Sequence, residues 1–281
     1  MQVIITLAGL GQRFKAEGFA TPKPLIPVMG KPAINYLIDC MDTSWDLFFA
    51  IGEHFKNTDL ESSIKKQCPK ANIFYVPYSS RGPIDTVEAI ISYLNLDQAV
   101  AVSYCDYFMS WKPYDFENFL KITNCDICIP AYKGFHPTYL GPNTYAHLKV
   151  NDKTKQIEKI QEKKLFGTNI YTEWTSTGFY YFKSVALLKK GMNLQLESNL
   201  KYGSEFYTSL AIQALLNECS DLKIMNYEIS HFLQLGTPAD VAIAEKWYKY
   251  IILDHKKNEF KPNTEENQLY QYWEILFKKL F

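Results

Sequence analysis

Two closely spaced clusters carry most of the chemistry legible in this 281-residue chain. Leu7-Ala8-Gly9-Leu10-Gly11-Gln12-Arg13-Phe14 brings two glycines and an arginine into one stretch. Pro22-Lys23-Pro24-Leu25-Ile26-Pro27-Val28, followed by Gly30-Lys31-Pro32, sets a lysine between prolines. Glycines at 9 and 11 remove the Cβ atoms that would hold a ligand off the backbone, so successive N–H groups can point at phosphate oxygens. Arg13 and Lys23 add positive charge. The prolines remove backbone donors and bias the segment to an extended path, which holds Lys23 on a stiff arm. Read together, the clusters form a device for handling a triphosphate. A glycine pair alone is equally an ordinary strand-to-helix turn, and the Pro-Lys-Pro continuation is what favours the phosphate reading.

The elements around these clusters fit that chemistry. Val3-Ile4-Ile5-Thr6-Leu7 is a β-branched apolar run that reads as a buried parallel strand delivering the glycine loop at its end. No Gly-Lys-Ser or Gly-Lys-Thr follows the glycines, which excludes a Walker loop. The third glycine of a dinucleotide fingerprint is missing, and Arg13 stands where close helix packing wants a small residue. Further on, Val76 to Ile90 passes from a strand through a polar turn into an amphipathic helix, with Ser79 or Ser80 as a local N-cap. Ala99 to Val102 forms another apolar strand, and Asp106 follows at its C-terminal end. Magnesium takes hard oxygen ligands, often one or two carboxylates plus phosphate oxygens, so a strand-end aspartate beside a phosphate loop suffices to begin a metal site. Such carboxylates also serve as helix caps.

The spaced Gly-Gly-Arg, Pro-Lys-Pro-Leu-Ile-Pro-Val and Gly-Lys-Pro pattern resembles the signature of the sugar nucleotidyltransferases, closely over the first thirty or so positions. The resemblance implies an α/β, Rossmann-like (GT-A-like) fold with a mostly parallel mixed sheet flanked by helices. It places Leu7, Ala8, Gly9, Gly11, Arg13 and Lys23 around the nucleotide, with Lys23 contacting the α-phosphate and the attacking phosphate. Lys31 lies just before the first helix of the family. Gly82 and Thr86 fall in the turn that receives the nucleobase, and Asp106 becomes the Mg2+ ligand.

The resemblance extends more thinly into the second half. Glu162-Lys163 is similar to the family's Glu-Lys-Pro element, with Lys164 in place of the proline; a solvated strand end is the competing reading of Lys163. Thr177-Gly178 resembles the Thr-Gly-Ile-Tyr strand whose glycine lets the substrate ring lie against the backbone. Glu205 and Tyr207 follow as substrate-binding candidates, with Ser204 as the N-cap of a helix whose core face is Leu210, Ala211, Ala214 and Leu215. The family places a second metal-binding aspartate two residues before Gly-Thr, where this chain has Gln234; its amide oxygen can still take the metal or a metal-bound water but adds no negative charge, so metal binding leans more on Asp106 and the triphosphate. Thr237-Pro238 with Asp240 in the first turn makes a good helix start.

Composition sets limits. Lys plus Arg equals Asp plus Glu at 30 each, which leaves no basic excess for nucleic acid or an anionic membrane and points to small ligands. No run approaches the roughly twenty apolar residues of a membrane span, and no signal peptide precedes the first strand, so a cytoplasmic location is expected, with the six cysteines as free thiols. Cys125 and Cys128 have Cys-x-x-Cys spacing but sit in an apolar strand without a partner pair. The chain divides into a catalytic domain over residues 1–240 and a helical extension over 241–281, joined by a linker around Lys261-Pro262-Asn263. The stripe Leu269, Tyr272, Trp273 and Leu276 either packs on the domain or forms an oligomer contact.

The expected activity is Mg2+-dependent condensation of an NTP with a phosphorylated substrate, expected to be a sugar 1-phosphate, to give an NDP-linked product and pyrophosphate for surface-glycan synthesis. Arg13, Lys23, Asp106 and Lys163 are its catalytic candidates. Three alternatives stand beside it: a cytidylyltransferase acting on an alcohol phosphate such as phosphocholine, a non-catalytic nucleotide or sugar sensor, and a metal-dependent glycosyltransferase, whose usual Asp-x-Asp is broken by Asp106-Tyr107-Phe108. Acceptor choice is expected to lie in the loops between Tyr132 and Tyr145.

Overall fold

A computed structural model describes residues 1–137, 145–249 and, as a helix, 264–280. The middle of the loop between Tyr132 and Tyr145, the linker around Lys261-Pro262-Asn263 and the side chain of Leu269 lie outside the described residues.

The apolar run near the start forms β1 (Gln2–Leu7), buried along its whole length. It is central to a ten-stranded mixed sheet. On one side it pairs in parallel with β4 (Asp46–Gly52), which pairs in parallel with β5 (Asn72–Val76) at the sheet edge. On its other side runs the parallel β6 (Val100–Tyr104). Beyond it, β12 (Phe179–Phe182) is antiparallel to both β6 and β8 (Ile127–Tyr132). Next come β11 (Trp174–Ser176), β9 (Ala146–Val150) and β10 (Ile157–Glu162), while β13 (Ile224–Glu228) lies parallel to β8.

Side chains alternate across a strand, and β1 shows the consequence: Val3, Ile5 and Leu7 enter one core, and Ile4 enters the other. The first core takes α2 (Ala33–Asp39), α3 (Leu60–Gln67) and α5 (Pro113–Thr123). The second takes α4 (Pro83–Glu88), α6 (Val185–Glu197) and α7 (Thr208–Glu218). Leu210, Ala211, Ala214 and Leu215 form the buried face expected of α7. Helices on both faces of a sheet whose adjacent strands run parallel leave the strand ends free to build a site.

Register aligns those ends. Thr6 lies opposite Tyr104, Leu7 opposite Ile51, and Gly52 opposite Val76. The loops after β1, β5 and β6 therefore emerge at one edge. A two-stranded ribbon of β7 (Tyr107–Ser110) and β14 (His231–Gln234) continues there, and the Leu235 N–H donates to the Asp106 carbonyl at 2.7 Å. Thr237 then caps α8 (Pro238–Tyr248) in a full capping box with Asp240, as its spacing predicts.

The last helix, α9 (Thr264–Leu280), docks on its own chain: Trp273, Leu276 and Phe277 are buried, and Tyr272 stacks on His231 at 3.8 Å. Of the aromatic stripe, Trp273 and Leu276 are buried, while Tyr272 remains partly exposed. All six cysteines are free thiols. Cys125 and Cys128 are both buried, and a hydrogen bond from Cys128 draws the Cys125 thiol down to about 7.

Candidate active site

The aligned strand ends enclose a cleft of about 430 Å³. Leu7, Ala8, Gly9, Gly11 and Arg13 form one wall. Gly11 adopts a left-handed conformation (φ 64°) at the start of the five-residue α1 (Gln12–Ala16), and the N–H groups of Phe14 and Lys15 bond back to its carbonyl. Helical bonding starts there, so the amides just before belong to the loop. A Cβ on Gly9 would stand in open space, as a loop that faces a ligand requires.

Lys23 enters the cleft from a single turn of 3-10 helix over Lys23–Leu25, locked by the Leu25 N–H to the Pro22 carbonyl at 2.8 Å. Its ammonium reaches Asp106 at 2.6 Å. Burial opposes the charge on Lys23, but Asp106 and Cys105 outweigh burial and hold its pKa above the ordinary lysine value. Lys23 and Asp106 stand apart by 83 residues in sequence, and the parallel pairing of β1 with β6 brings them together.

Gly82 and Thr86 also line the cleft, with Tyr78 and Ser79. Gly82 has φ 95°, and a Cβ there would meet the Glu205 Cβ at 3.0 Å and the Phe206 carbonyl at 3.0 Å. Phe206 donates its N–H to the Arg81 carbonyl at 2.7 Å, so segment 202–207 closes directly over this turn. Gly82→Ala should cost about 1–3 kcal/mol through strain and raise the KM for nucleotide, read by thermal melting and steady-state kinetics. An unchanged KM would remove the turn from the binding surface.

Lys163, Glu205 and Tyr207 also line the cleft. The Tyr207 hydroxyl bridges them, donating to Glu205 and accepting from the Lys163 ammonium, which also lies 4.3 Å from the Tyr207 ring centroid. Burial lowers the Lys163 pKa, while Glu162 and Glu205 oppose that shift.

Several expectations need correction. Glu162, adjacent to Lys163, points the other way: it is 5 % exposed, accepts from the Ser209 hydroxyl and does not line the cleft. Thr177 is buried with its hydroxyl on the Pro130 carbonyl. Gly178 supports Tyr104 and Tyr145, which would lie 3.0 and 3.3 Å from a Cβ at that position and are themselves the cleft wall. Gln234 is 3 % exposed, donates its amide to the Tyr132 hydroxyl and stands outside the cleft lining. Lys31 pairs with Asp39 instead of facing the cleft. Neither serine caps α4, whose N-cap is Gly82; the Ser79 hydroxyl donates to Asp85. Ser204 does not cap α7, which begins at Thr208 behind Tyr207.

Among the cleft residues that motif reading passed over are Tyr104, Tyr145 and Gly236. The Gly-Thr-Pro that follows β14 was the available signal for Gly236. Beside it lies Asp240, whose carboxyl is pushed up to about 6 by burial and, further, by repulsion from Asp106. Among the described residues no group of three or more His, Cys, Asp and Glu side chains could hold a metal.

Glu162 also sets a pH dependence. Burial pushes its carboxyl up to about 7, opposed by Ser209 and Lys163. Between the ordinary glutamate value of 4.5 and about 7 the folded chain holds a proton that the unfolded chain has released. The Glu162 contribution to stability is therefore fully present below 4.5 and lost as pH rises through 7, by roughly 3 kcal/mol. Melting curves at pH 5 and pH 8 should show that trend flattened in Glu162→Gln.

Residues 3–166 match the family model described as the MobA-like NTP transferase domain. The chain is 25 % identical over 271 residues to the bifunctional protein GlmU of Methanocaldococcus jannaschii, covering 95 % of this chain and 58 % of that protein. It thus spans little more than half of the curated relative. Its fold is similar to that of a nucleoside-diphosphate-sugar pyrophosphorylase from Vibrio cholerae RC9, with a TM-score of 0.65 at 17 % identity, covering 88 % of this chain and 100 % of that one. It is also similar to the inositol-1-phosphate CTP transferase from T. maritima, with a TM-score of 0.62 at 16 % identity over 87 % and 95 % of the two chains.

Proposed function

Because the chain belongs to the MobA-like NTP transferase domain family, we propose that it joins an NTP to a phosphorylated small molecule, with a sugar 1-phosphate as the acceptor, and releases pyrophosphate. The observation that carries this reading is the convergence of the Gly9–Arg13 loop, the Lys23–Asp106 pair and Lys163 in one cleft. Three cations surround a space of nucleotide size, and a glycine loop offers amides to phosphate oxygens.

In the proposed reaction an acceptor phosphate oxygen attacks the α-phosphorus, a P–O bond forms, and the bond to the β-phosphate bridging oxygen breaks with its electron pair leaving on pyrophosphate. The protein supplies positioning and charge neutralisation. Arg13 faces the leaving pyrophosphate. Lys23, held on its proline arm, bridges the α-phosphate and the attacking phosphate. Lys163, poised by Tyr207 and Glu205, takes the acceptor phosphate. Gly82 and Thr86 face the base. Asp106 would hold Mg2+, and a hard carboxylate at the mouth of a phosphate cleft fits that ion. When bound, Mg2+ neutralises triphosphate charge.

The structural neighbour named as a nucleoside-diphosphate-sugar pyrophosphorylase favours a sugar 1-phosphate, with glycan synthesis as the proposed use of the product; the inositol-1-phosphate CTP transferase motivates an alcohol phosphate as the second reading. Among the described residues no helix is long and apolar enough to cross a membrane. The test is pyrophosphate release from CTP, UTP, dTTP, GTP and ATP, each with pooled sugar 1-phosphates and, separately, alcohol phosphates, with Asp106→Ala as control. Release with one NTP and the sugar pool, lost in the variant, supports the reading. Release with the alcohol pool alone moves the acceptor class. Nucleotide binding without release in either pool favours a sensor.

A further inference from the structure

Gly52 ends β4 beside the glycine loop, and its backbone does not explain why it is a glycine. Its φ of −60° and ψ of 137° are open to any residue. The reason is space: a Cβ there would stand 2.3 Å from Cε1 and 2.6 Å from Nδ1 of His54, and 3.2 Å from the Ala8 Cα. Leu7 lies opposite Ile51 in the parallel β1–β4 pair, so Ala8 and Gly52 leave the sheet side by side. Where a side chain would separate them, the His54 imidazole folds back against the start of the phosphate loop. The ring is set by the 3-10 turn over Glu53–Phe55 and by the ring of the buried Phe55, whose centroid is 4.0 Å away.

Burial holds the His54 pKa below the ordinary histidine value, a hydrogen bond to the Gly9 carbonyl opposes that shift, and Lys15 adds to it. The ring is therefore neutral at pH 7 and carries one N–H, which the Gly9 carbonyl engages. A peptide group is planar and trans, so a Gly9 carbonyl turned toward His54 sends the Leu10 N–H the opposite way. Gly9 and Leu10 line the cleft and His54 does not, which makes the opposite way the cleft side. Among the described residues that N–H has no hydrogen-bond acceptor.

We propose that His54 is a positioning residue of the phosphate loop: the imidazole, admitted by Gly52, holds the Gly9 carbonyl and thereby turns the Leu10 N–H onto the triphosphate. The inference rests on the nucleotidyl-transfer reading above and adds the group that sets one of its loop amides.

The probe is inorganic tripolyphosphate with Mg2+, which carries no base, and its binding to the full chain is followed by calorimetry. His54→Phe keeps a ring on Phe55 and loses the donor; it should weaken binding about fivefold to tenfold with an unchanged melting temperature. Asn and Gln carry an amide N–H near the Nδ1 and Nε2 positions, so one of His54→Asn and His54→Gln should recover most of the loss. Gly52→Ala should reproduce the loss by pushing the imidazole off the loop. In a His54→Ala background the added methyl meets no ring, and Gly52→Ala should then change affinity by less than about twofold. Wild-type affinity in His54→Phe, recovery by neither amide, or the same Gly52→Ala loss with and without the imidazole would overturn the inference and leave the nucleotidyl-transfer reading standing. Absence of tripolyphosphate binding by the wild type would overturn it too, while pyrophosphate release judges the reaction separately. Should His54→Phe not fold, the Gly52→Ala comparison in the two backgrounds decides.

Discussion

Lys23→Met should lower the rate of pyrophosphate release by about 10²- to 10³-fold, with a much smaller change in the KM for nucleotide. The substitution keeps the length and apolar stem of the side chain and removes only the ammonium. That ammonium sits on a turn fixed between Pro22 and Pro24 and is already aimed at the strand end that carries Asp106. A charge held in place before substrate arrives stabilises the transition state without reorganisation, which is why its loss should fall on kcat. The Asp106 carboxylate, left without its partner, would also repel the triphosphate. A rate within tenfold of wild type would reduce Lys23 to a structural partner of Asp106. Circular dichroism and melting of the variant separate this from misfolding.

The second large effect concerns stability. Trp273 has no exposed surface and packs its ring against His136 at 5.4 Å, His231 at 5.3 Å and Trp247 at 6.4 Å. These partners come from three other segments of the chain. Trp273→Ala should cost about 3–5 kcal/mol and lower the melting temperature by about 10 °C. The cleft residues lie elsewhere, so activity at low temperature should persist. Because Leu276 and Phe277 are buried on the same chain, the loss should not depend on protein concentration. A concentration-dependent melting temperature in the wild type, abolished by the substitution, would favour an oligomer contact for α9.

The parts of this site that a reader can take from sequence are those encoded locally. The buried run of β1, the glycines that follow it and the carboxylate after β6 each stand within a few residues of a strong strand pattern, and all three meet at the cleft. What escaped was decided by distant contacts. Ser204 satisfies the local rule for an N-cap, yet the neighbouring Phe206 bonds to Arg81, more than a hundred residues away, and the helix waits until Thr208. Thr177 and Gly178 match a substrate-facing motif, but Tyr145 arrives from the start of another strand and takes that place. Glu162 ends β10 buried, and Lys163 follows it in a left-handed conformation (φ 52°) that turns the chain and brings its side chain to the cleft. Asp240 was legible as a helix start, which it is; that Gly236, just before this helix, lies against Asp106 depends on the β7–β14 ribbon and has no local signature.

The central claim is that the α-phosphate of a nucleotide moves to a phosphorylated acceptor. The direct measurement supplies the same NTP labelled with ³²P at the α or the γ position, together with the acceptor pool and Mg2+, and separates the products. Label from the α position in an acceptor conjugate, with the γ label in pyrophosphate, is the predicted result. Transfer of the γ label to the acceptor, or release of the α label only as free nucleoside monophosphate, would contradict it.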